Sequence, residues 1–413
     1  MSTIADPPLR TQSLDQWLCW LETLHPLAID MGLERVAKLA DSLDLRPAKK
    51  PMILVGGTNG KGSVVAMLSA IYAAAGHKVG AYTSPHIAHF CERIRVDGAL
   101  ADESMVVDAL AFVEQGRGPD TLTYFEYTTL AAMRVFDVAK CDVLIFEVGL
   151  GGRLDATNIW DADCSIVTSI ALDHEAYLGS DVSIIATEKA AIGRAGKPFI
   201  IGEINPPSSL ALYTAAHSFE VINVGAMAPS ELPAVAMPGA FQQRNAACAV
   251  SAVNALQHIV PVERSIISEA LSGVSLDGRF EKMTIDGVTV ILDVAHNPAG
   301  ALALAEAWAD EFGDQRCDVV FASLSDKDIA GVVAAIAPIV HTWHCLSLDV
   351  PRAMSAQSIA DIVRRCVSTS GIDEYDQVSE ALHAALAQAK AGGHPVLVAG
   401  SFYTIAAVKS VVN

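Results

Sequence analysis

Short apolar runs alternate with helical patterns along most of the chain. Within each run consecutive positions are apolar, which is typical of parallel strands that helices cover on both faces. The pattern therefore predicts an α/β protein. The strand candidates are Met52–Val55, Val79–Thr83, Val143–Val148, Ser165–Ile170, Phe199–Ile201, Val221–Val224, Val288–Val294, Val319–Ser323, Trp343–Leu348 and Pro395–Ala399.

Two of the predicted helices have recognisable ends. An S-x-x-Q capping box at Ser13 opens a helix that should run to Leu24, with a single apolar stripe along it. Residues 226–240 are rich in Pro, Ala and Gly and predict a connecting loop. A helix from Asn245 to Leu256 is expected to follow that loop.

The strand and helix pattern restarts near Asp277, which indicates a domain boundary. A chain of 413 residues is long enough for two or three domains. We therefore expect a larger N-terminal domain, residues 1–280, and a smaller C-terminal α/β domain, residues 281–413.

Composition narrows the function classes. The formal charge of −19 argues against a nucleic-acid surface, which needs clustered Lys and Arg. Eight cysteines are scattered without any C-x-x-C pair, as expected for reduced thiols in a cytosolic protein. The uncharged stretch Ile329–Leu348 contains Pro338 and His341 and divides into a helix and a strand. We therefore expect a cytosolic protein with no membrane or nucleic-acid partner.

Residues 56–63 read GGTNGKGS between a strand-like run and a helix-like run. The spacing misses the strict P-loop template, but four glycines let backbone N–H groups turn toward an anion at a helix N-terminus. Lys61 would neutralise phosphate charge, and Ser63 would bind phosphate or Mg²⁺. The alternative is a tight strand–helix turn with a surface lysine, and we favour phosphate binding.

Two further acidic or polar segments follow predicted strands. Glu147 ends one strand and leads into GLGGRLDATN, residues 149–158. Asp173 and His174 come just after another strand. Carboxyl ends of parallel strands meet at one edge of a sheet, where ligand sites of α/β proteins form. An ordinary strand-end acid and a structural histidine are the alternative interpretation.

Lys189 lies on an apolar stripe with Ile185 and Ile192, in the helical pattern Asp181–Ala195. Lysine is rarely buried unless it is paired or chemically altered. Spacing alone favours a side chain that covers the stripe with its stem and reaches solvent with its amine.

The predicted C-terminal domain supplies a second set of polar residues. Arg279 lies at the predicted domain joint, where it would reach an ATP phosphate. Strand Val288–Val294 leads into DVAHNP, which places Asp293 and His296 at a carboxyl edge. The same segment also matches a helix N-cap followed by proline.

Together these segments resemble the Mur ligase superfamily, and specifically its bacterial folylpolyglutamate synthase/dihydrofolate synthase branch. The loop matches that family's T-N-G-K-G-[ST] motif, and the resemblance covers nearly the whole chain in order. The other matching segments are IDMGLERV (29–36), TSPH (83–86), YFEY (124–127), EVGLGGRLDATN (147–158), SIALDH (169–174), EKA (188–190), GRFE (278–281), DVAHNP (293–298), DKDIAG (326–331) and GSFYT (400–404).

The resemblance implies a Mur-type P-loop ATPase domain followed by a smaller Rossmann-like ligase domain, with the active site in the cleft between them. It implies a ligase that joins L-glutamate to a pteroate or folate carboxylate through an acyl phosphate. ATP and Mg²⁺ are the implied cofactors, and the resemblance is also compatible with a second metal ion or a monovalent cation. The implied partners are dihydropteroate, folates and L-glutamate, and the implied state is a monomer.

The resemblance also assigns catalytic and nucleotide-binding residues. It gives catalytic roles to Lys61, Lys189, Arg279 and His296. The residues that match ATP contacts are Thr58, Asn59, Gly60, Lys61, Gly62, Ser63, Asn245, Arg279 and Asp293.

Metal and pterin residues are implied in the same way. Ser84, Glu147 and His174 match the family's Mg²⁺ ligands, and Lys189 matches a lysine that the superfamily often carries in N-carboxylated form. That match reverses the preference for a solvent-reaching lysine. The pterin pocket is matched by Asp30, Met31, Gly32, Leu33, Thr123, Tyr124, Phe125, Glu126, Leu154, Asp155 and Ala156, with Phe125 able to stack on the flat ring.

Two departures and two alternative functions remain. Glu175-Ala176 stands where the family more often has Thr-Asp, and GAFQQRN before Asn245 differs from some relatives.

A Mur ligase acting on a nucleotide-linked sugar peptide is one alternative function, and a regulatory P-loop NTPase is the other. IDMGLERV favours the folate branch and resembles its bifunctional type, so we expect both synthase activities.

Overall fold

The structure is a computed structural model that describes residues 6–367 and 371–412. The chain divides into two compact units. The first contains residues up to Ile170 together with Glu175–Ala234 and Arg244–Ser272, and the second contains Ala171–His174, Val235–Gln243 and the residues from Gly273 onward.

An eight-stranded sheet forms the centre of the first unit within the described residues. Its strands are β1 (Met52–Gly56), β2 (Val79–Tyr82), β3 (Ile94–Val96), β4 (Ala99–Leu100), β5 (Val143–Glu147), β6 (Cys164–Val167), β7 (Pro198–Ile201) and β8 (Glu220–Asn223). The strand order is β4-β3-β2-β5-β1-β6-β7-β8. Six strands run parallel, and β3 and β4 add an antiparallel edge.

Helices connect these strands, as the alternating pattern predicts. The capping box at Ser13 is confirmed, because its side chain and that of Gln16 cap each other's backbone. Short 3₁₀ helices occupy Phe90–Arg93, Ala156–Ile159 and Pro229–Glu231. The α-helices up to Ser272 are α1 (Leu14–Leu24), α2 (Glu34–Ser42), α3 (Lys61–Ala74), α4 (Glu103–Arg117), α5 (Tyr124–Ala139), α6 (Glu175–Leu178), α7 (Val182–Ala190), α8 (Ser208–Ala216), α9 (Ala240–Ala255) and α10 (Arg264–Ser272).

Several predicted boundaries are wrong, by up to five residues. Strand β6 stops at Val167 instead of Ile170, because the next two residues leave the sheet and bond to the glycine-rich loop. Helix α7 ends at Ala190 rather than Ala195, because the following segment contains two glycines and disfavours further helix. Helix α9 begins at Ala240, five residues before the predicted Asn245.

The second unit is built on a six-stranded sheet in the described part of the chain. Its strands are β9 (Glu281–Ile285), β10 (Val288–Leu292), β11 (Cys317–Phe321), β12 (Val340–Leu346), β13 (Gly371–Tyr375) and β14 (Val396–Ala399), in the order β13-β12-β11-β14-β10-β9. The helices are α11 (Pro298–Phe312), α12 (Ile329–Ile336), α13 (Ala356–Cys366), α14 (Val378–Gly392) and α15 (Phe402–Val412), with a 3₁₀ turn at Ala337–Ile339.

Strands β9 and β13 lie at the two edges of this sheet and were not predicted. Their residues are half-buried or exposed, so they lack the continuous apolar run that marks an interior strand. The division of the uncharged stretch Ile329–Leu348 into a helix and a strand is confirmed by α12 and β12. Among the described residues, none of the helices has the length and apolar character needed to cross a membrane.

Asp318 is a fully buried carboxylate on β11. Neither of its oxygens has a well-formed hydrogen bond among the described residues, and the Nδ1 atom of His394 lies 3.7 Å from Oδ2. Burial raises the pKa of the Asp318 carboxyl group, and His394 offsets this only in part. The folded state therefore binds a proton more tightly than the unfolded state. The resulting stabilisation is present at low pH and is lost as pH rises through the raised pKa.

We expect Asp318→Asn to raise Tm at pH 7.5 by about 4 °C, because it removes a buried charge whose oxygens have no well-formed hydrogen bond among the described residues. The difference from wild type should shrink as pH falls toward the ordinary carboxyl pKa. Thermal melts at several pH values measure this, with Asp349→Asn, at an exposed position, as the control. A lower Tm for Asp318→Asn at pH 7.5 would mean that the ionised carboxylate stabilises the sheet.

Candidate active site

The glycine-rich loop joins β1 to α3, and residues after β6 hold it in place. Gly60, the N-cap of α3, has a φ of +87°, in the left-handed region that glycine adopts readily. The N–H of Thr58 donates to Ser169 O at 2.8 Å, and the N–H of Asn59 donates to Ser169 Oγ at 2.9 Å. Thr168 Oγ1 donates to Asn59 O at 2.6 Å. These bonds fix the backbone conformation of the loop.

Two lysines point at the same carbonyl group of this loop. Lys61 Nζ donates to Gly57 O at 3.2 Å and to Thr58 O at 3.1 Å. Lys189 Nζ also donates to Gly57 O, at 3.1 Å, and its side chain is buried. The interpretation of Lys189 as a solvent-reaching side chain is therefore wrong. Its amine lies beside the loop, 132 residues away in sequence.

The start of α3 has the features of an anion site. Ser63 Oγ is buried and has no hydrogen-bond partner among the described residues. The first turn of a helix leaves backbone N–H groups without intrahelical partners, here at Gly62 and its neighbours. A Cβ atom on Gly60 would lie 2.6 Å from Asn245 Oδ1, so the Asn245 side chain packs on the loop. The N–H groups, the Lys61 ammonium and the Ser63 hydroxyl fit a nucleotide phosphate with a divalent cation.

The predicted metal ligands come together only in part. Glu147 ends β5 with its carboxylate buried, and the N–H of Ser84 donates to its Oε2 at 3.2 Å. Lys189 lies in the same compact unit, whereas His174 belongs to the second unit. No group of three or more His, Cys, Asp or Glu residues with metal-binding geometry occurs in residues 6–367 and 371–412. The complete ligand set remains a prediction.

Asp173, beside His174, is the centre of a polar network in the second unit. Lys327 Nζ lies 2.6 Å from its Oδ1, His296 Nε2 lies 3.4 Å from its Oδ2, and the Asn297 amide donates to it at 3.3 Å. Burial opposes ionisation, but His296, His174 and Lys327 hold the pKa of Asp173 well below its usual range. Asn297 also accepts from the N–H of Gly300 at 2.8 Å, which confirms the predicted helix N-cap.

Arg279 and Asp293 lie at another turn of the second unit. Asp293 is buried and accepts hydrogen bonds from the N–H groups of Phe280 at 2.9 Å and Ala295 at 2.8 Å. Burial raises the pKa of Asp293, with Arg279 and the two N–H groups acting against it. The Arg279 guanidinium lies 5.1 Å from the Phe402 ring centroid. This carboxylate therefore builds the turn that carries Arg279.

Two predicted pterin segments, at Met31 and Phe125, lie against the glycine-rich turn that precedes the third. The ring of Phe125 packs 5.9 Å from that of Tyr82, and a Cβ atom on Gly149 would lie 2.6 Å from the Phe125 ring. The end of Met31 approaches within 3.9 Å of the Cβ position of Gly151. Gly32 and Leu33 follow Met31 into α2, and Tyr124 opens α5. A flat apolar ring is thus available beside a glycine-rich turn.

The two acids of this region already have protein partners. Glu126 is buried, closes a capping box with Thr123 and accepts from Arg35 Nε at 2.9 Å and 3.0 Å through its two oxygens. Asp30 pairs with the same guanidinium. Arg35 was not singled out from the sequence, although it lies within the matching segment IDMGLERV.

The third predicted pterin segment builds its own loop. Asp155 is buried and accepts from the N–H and Oγ1 of Thr157, at 3.0 Å and 2.6 Å, and from the N–H of Leu150 at 2.8 Å. It caps the 3₁₀ helix that begins at Ala156, and Leu154 is half-buried before it. These contacts use both carboxylate oxygens of Asp155 within the loop.

Sequence reasoning missed residues that hold the site together. Thr168 and Ser169 support the glycine-rich loop, and Lys327 pairs with Asp173. A signal for the first two was present, because polar residues directly after an interior strand lie at the ligand-binding edge of an α/β sheet. Glu126, which pairs with Arg35, and Asp173, which pairs with Lys327, are far from those residues in sequence, so no local pattern identifies these pairs.

Comparison with known proteins places this geometry in a family. Residues 278–402 match the model of the Mur ligase glutamate ligase domain. The dihydrofolate synthase/folylpolyglutamate synthase of Escherichia coli (strain K12) is 39% identical over 98% of this chain and 97% of its own length. The chain belongs to the dihydrofolate synthase/folylpolyglutamate synthase family. The family's Haemophilus influenzae member is 34% identical, over 98% of both chains.

Solved structures from the family have the same fold. Escherichia coli FolC in complex with DHPP and ADP superposes with a TM-score of 0.91 at 39% identity, covering 98% of this chain and 99% of that one. The Yersinia pestis family enzyme complexed with AMPPNP and Mn ion gives a TM-score of 0.86 at 38% identity, with 98% and 99% covered. The predicted α/β fold of Mur ligase type is confirmed.

Proposed function

We propose that this chain is an ATP-dependent ligase that joins L-glutamate to dihydropteroate and also extends folates with further glutamate. The observation that carries the proposal is the loop at the start of α3. There Lys61, Ser63 and Lys189 surround a glycine-rich anion site in a member of the dihydrofolate synthase/folylpolyglutamate synthase family. Relatives solved with ADP, AMPPNP, Mn ion and L-glutamate support the same ligands.

The reaction needs ATP because a carboxylate oxygen is a poor leaving group. The substrate carboxylate attacks the γ-phosphorus and ADP leaves, which gives an acyl phosphate. The glutamate amine then attacks the acyl carbon and forms the C–N bond. The bond between the acyl carbon and the phosphate oxygen breaks, phosphate leaves, and the amine loses a proton. Phosphoryl transfer depends mainly on positioning and charge stabilisation.

Residues of this chain fit those two requirements. The carbonyls of Gly57 and Thr58 accept hydrogen bonds from the Lys61 ammonium and hold it beside the loop, where little reorganisation is needed for it to meet the γ-phosphate. Glu147, Ser84 and Lys189, as a carbamate, would hold Mg²⁺ together with His174. Mg²⁺, when bound, neutralises phosphate charge during transfer.

We further propose that residues 1–280 and 281–413 are the two domains, which the glutamate ligase match beginning at Gly278 supports. Arg279 and Asp293 are proposed to contact ATP, and His296 to act in catalysis. The same proposal takes the enzyme to be cytosolic and monomeric. Size-exclusion chromatography with light scattering tests the last point, and a dimer mass would contradict it.

ADP release measured with and without L-glutamate tests the function. We expect release that requires both glutamate and a pterin substrate, with dihydropteroate and tetrahydrofolate each supporting it. Release that requires a nucleotide-linked sugar peptide instead would favour a cell-wall type ligase. Release that is independent of glutamate would indicate a regulatory NTPase.

Phe125→Ala should raise the KM for dihydropteroate about tenfold to a hundredfold, because it removes a stacking surface worth about 1–3 kcal/mol. The KM for ATP should change little, since Phe125 packs on Tyr82 and Gly149 and not on the glycine-rich loop. Steady-state kinetics measure both constants. Phe112→Ala is the control, because Phe112 is a half-buried aromatic residue on α4. An unchanged KM for dihydropteroate would remove Phe125 from the pocket.

A further inference from the structure

Arg35 joins two segments of the proposed pterin pocket that are 91 residues apart. Its Nε donates to both carboxylate oxygens of Glu126, at 2.9 Å and 3.0 Å. Its Nη2 donates to the backbone oxygen of Asp30 at 2.9 Å, and its Nη1 pairs with the Asp30 carboxylate. We infer that Arg35 is a positioning residue that sets the geometry of the pterin pocket by clamping these two segments. The inference rests on the proposed function.

Charge explains why the clamp needs a cation. Glu126 is only 4% exposed, and an anion at that depth needs a partner. The N-terminal end of α5 supplies part of the compensation through its backbone, including the N–H of Thr123 at 2.8 Å. Asp30 brings a second carboxylate to the same guanidinium. Without Arg35 the two acids would repel each other, so the guanidinium holds them at a fixed separation.

The clamp also connects the loop before α2 to that helix. Leu27 and Ile29 in that loop are exposed. Within the described residues, the hydrogen bonds that reach Asp30 from a regular element come from Arg35, which lies in the first turn of α2. His25 Nε2, from the start of the same loop, lies 3.5 Å from the Asp30 carboxylate. The guanidinium group therefore ties Asp30, in the exposed part of this loop, to α2.

The other end of the clamp fixes the aromatic ring. Phe125 lies between the capping residues Thr123 and Glu126, so the capping box determines where its ring emerges from α5. Met31 follows Asp30 directly and approaches Gly151. One guanidinium thus sets the distance between the stacking ring and the loop that carries Met31. A planar guanidinium whose nitrogens point toward two different segments suits this role better than an ammonium group.

A matched pair of variants separates positioning from ordinary structural support. Arg117 is the matched arginine, because it also pairs with both oxygens of a carboxylate and is also poorly exposed: its Nε and Nη2 donate to Glu114 on α4 at 2.7 Å and 2.8 Å. For Arg35→Gln we expect the KM for dihydropteroate to rise about tenfold or more, because small displacements of positioning groups have large kinetic effects. The KM for ATP should stay within twofold. Arg117→Gln should lower Tm without changing either KM.

Arg35→Lys keeps the positive charge but lacks the guanidinium group that contacts both acids. We therefore expect a smaller rise in the KM for dihydropteroate than for Arg35→Gln. The inference is overturned if Arg35→Gln, or Arg35→Lys where the former does not fold, has the same KM for dihydropteroate as Arg117→Gln. Failure of the proposed function has a separate signature. In that case wild type itself would show no dihydropteroate-dependent ADP release, and no KM for dihydropteroate could be measured for any variant.

Discussion

Replacing Lys189 with alanine should lower kcat by about a hundredfold or more and leave the KM for dihydropteroate within a fewfold of wild type. Lys189 and Lys61 both donate to Gly57 O. Two ammonium groups on one acceptor repel each other, and Lys189 is in addition only 5% exposed. Carboxylation of its amine by CO₂ would replace this repulsion with attraction and supply oxygen ligands for Mg²⁺ beside Glu147.

The carbamate can be observed independently of activity. After incubation with ¹³C-labelled bicarbonate, wild type should give a carbamate resonance in ¹³C NMR that Lys189→Ala lacks. Lys49→Ala, at an exposed position, is the control and should keep both the resonance and the activity. Lys189→Glu should recover a little activity, because it restores a negative charge at shorter reach. Absence of the resonance in wild type together with full activity of Lys189→Ala would contradict the prediction.

The interior of both sheets was predictable because it is apolar on both faces. Strand β1 is buried at all five positions, and its continuous apolar run was visible in the sequence. The edge strands behave differently. Strand β9 pairs with a neighbour on one side only, and its residues alternate between half-buried and exposed positions. Because polar residues interrupt its apolar positions, the sequence pattern did not identify it as a strand. Local reasoning therefore missed β9 and β13, although it found the edge strand β8 from the short apolar run Val221–Val224.

The sequence predicted which segments contribute to the candidate site, but it did not predict which side chains contact one another there. Spacing placed Lys189 on a buried stripe, yet it favoured an amine in solvent, because only the fold brings Gly57 next to it. Asp155 and Glu126 were assigned to a ligand pocket, and the structure gives each of them a capping role as well. The T-x-x-E spacing of Thr123 and Glu126 is itself a capping-box signal, whereas the pairing of Glu126 with Arg35, 91 residues away, is not visible in the sequence.

Gly57→Ala should lower ATP-dependent activity by about a hundredfold, because the loop has no room for a side chain at this position. A Cβ atom on Gly57 would overlap Thr168 Oγ1 and would lie 3.0 Å from Thr168 N. Thr168 cannot turn away without losing its hydrogen bond to Asn59 O at 2.6 Å. The φ of +139° at Gly57 is itself unfavourable for alanine. The substitution must therefore shift the carbonyl to which Lys61 and Lys189 donate.

Gly76→Ala separates steric overlap from backbone strain. Gly76 has a φ of +85°, and no atom lies within 4 Å of its Cβ position. Alanine there should cost about 1–3 kcal/mol of stability through strain alone and leave kcat and the KM for ATP unchanged. Melting curves and steady-state kinetics of the two variants provide the comparison. If Gly57→Ala retained the same ATP-dependent activity as Gly76→Ala, close packing of Thr168 against the loop would not matter for catalysis. The displaced Gly57 carbonyl is the physical reason to expect otherwise, since both lysine amines depend on its position.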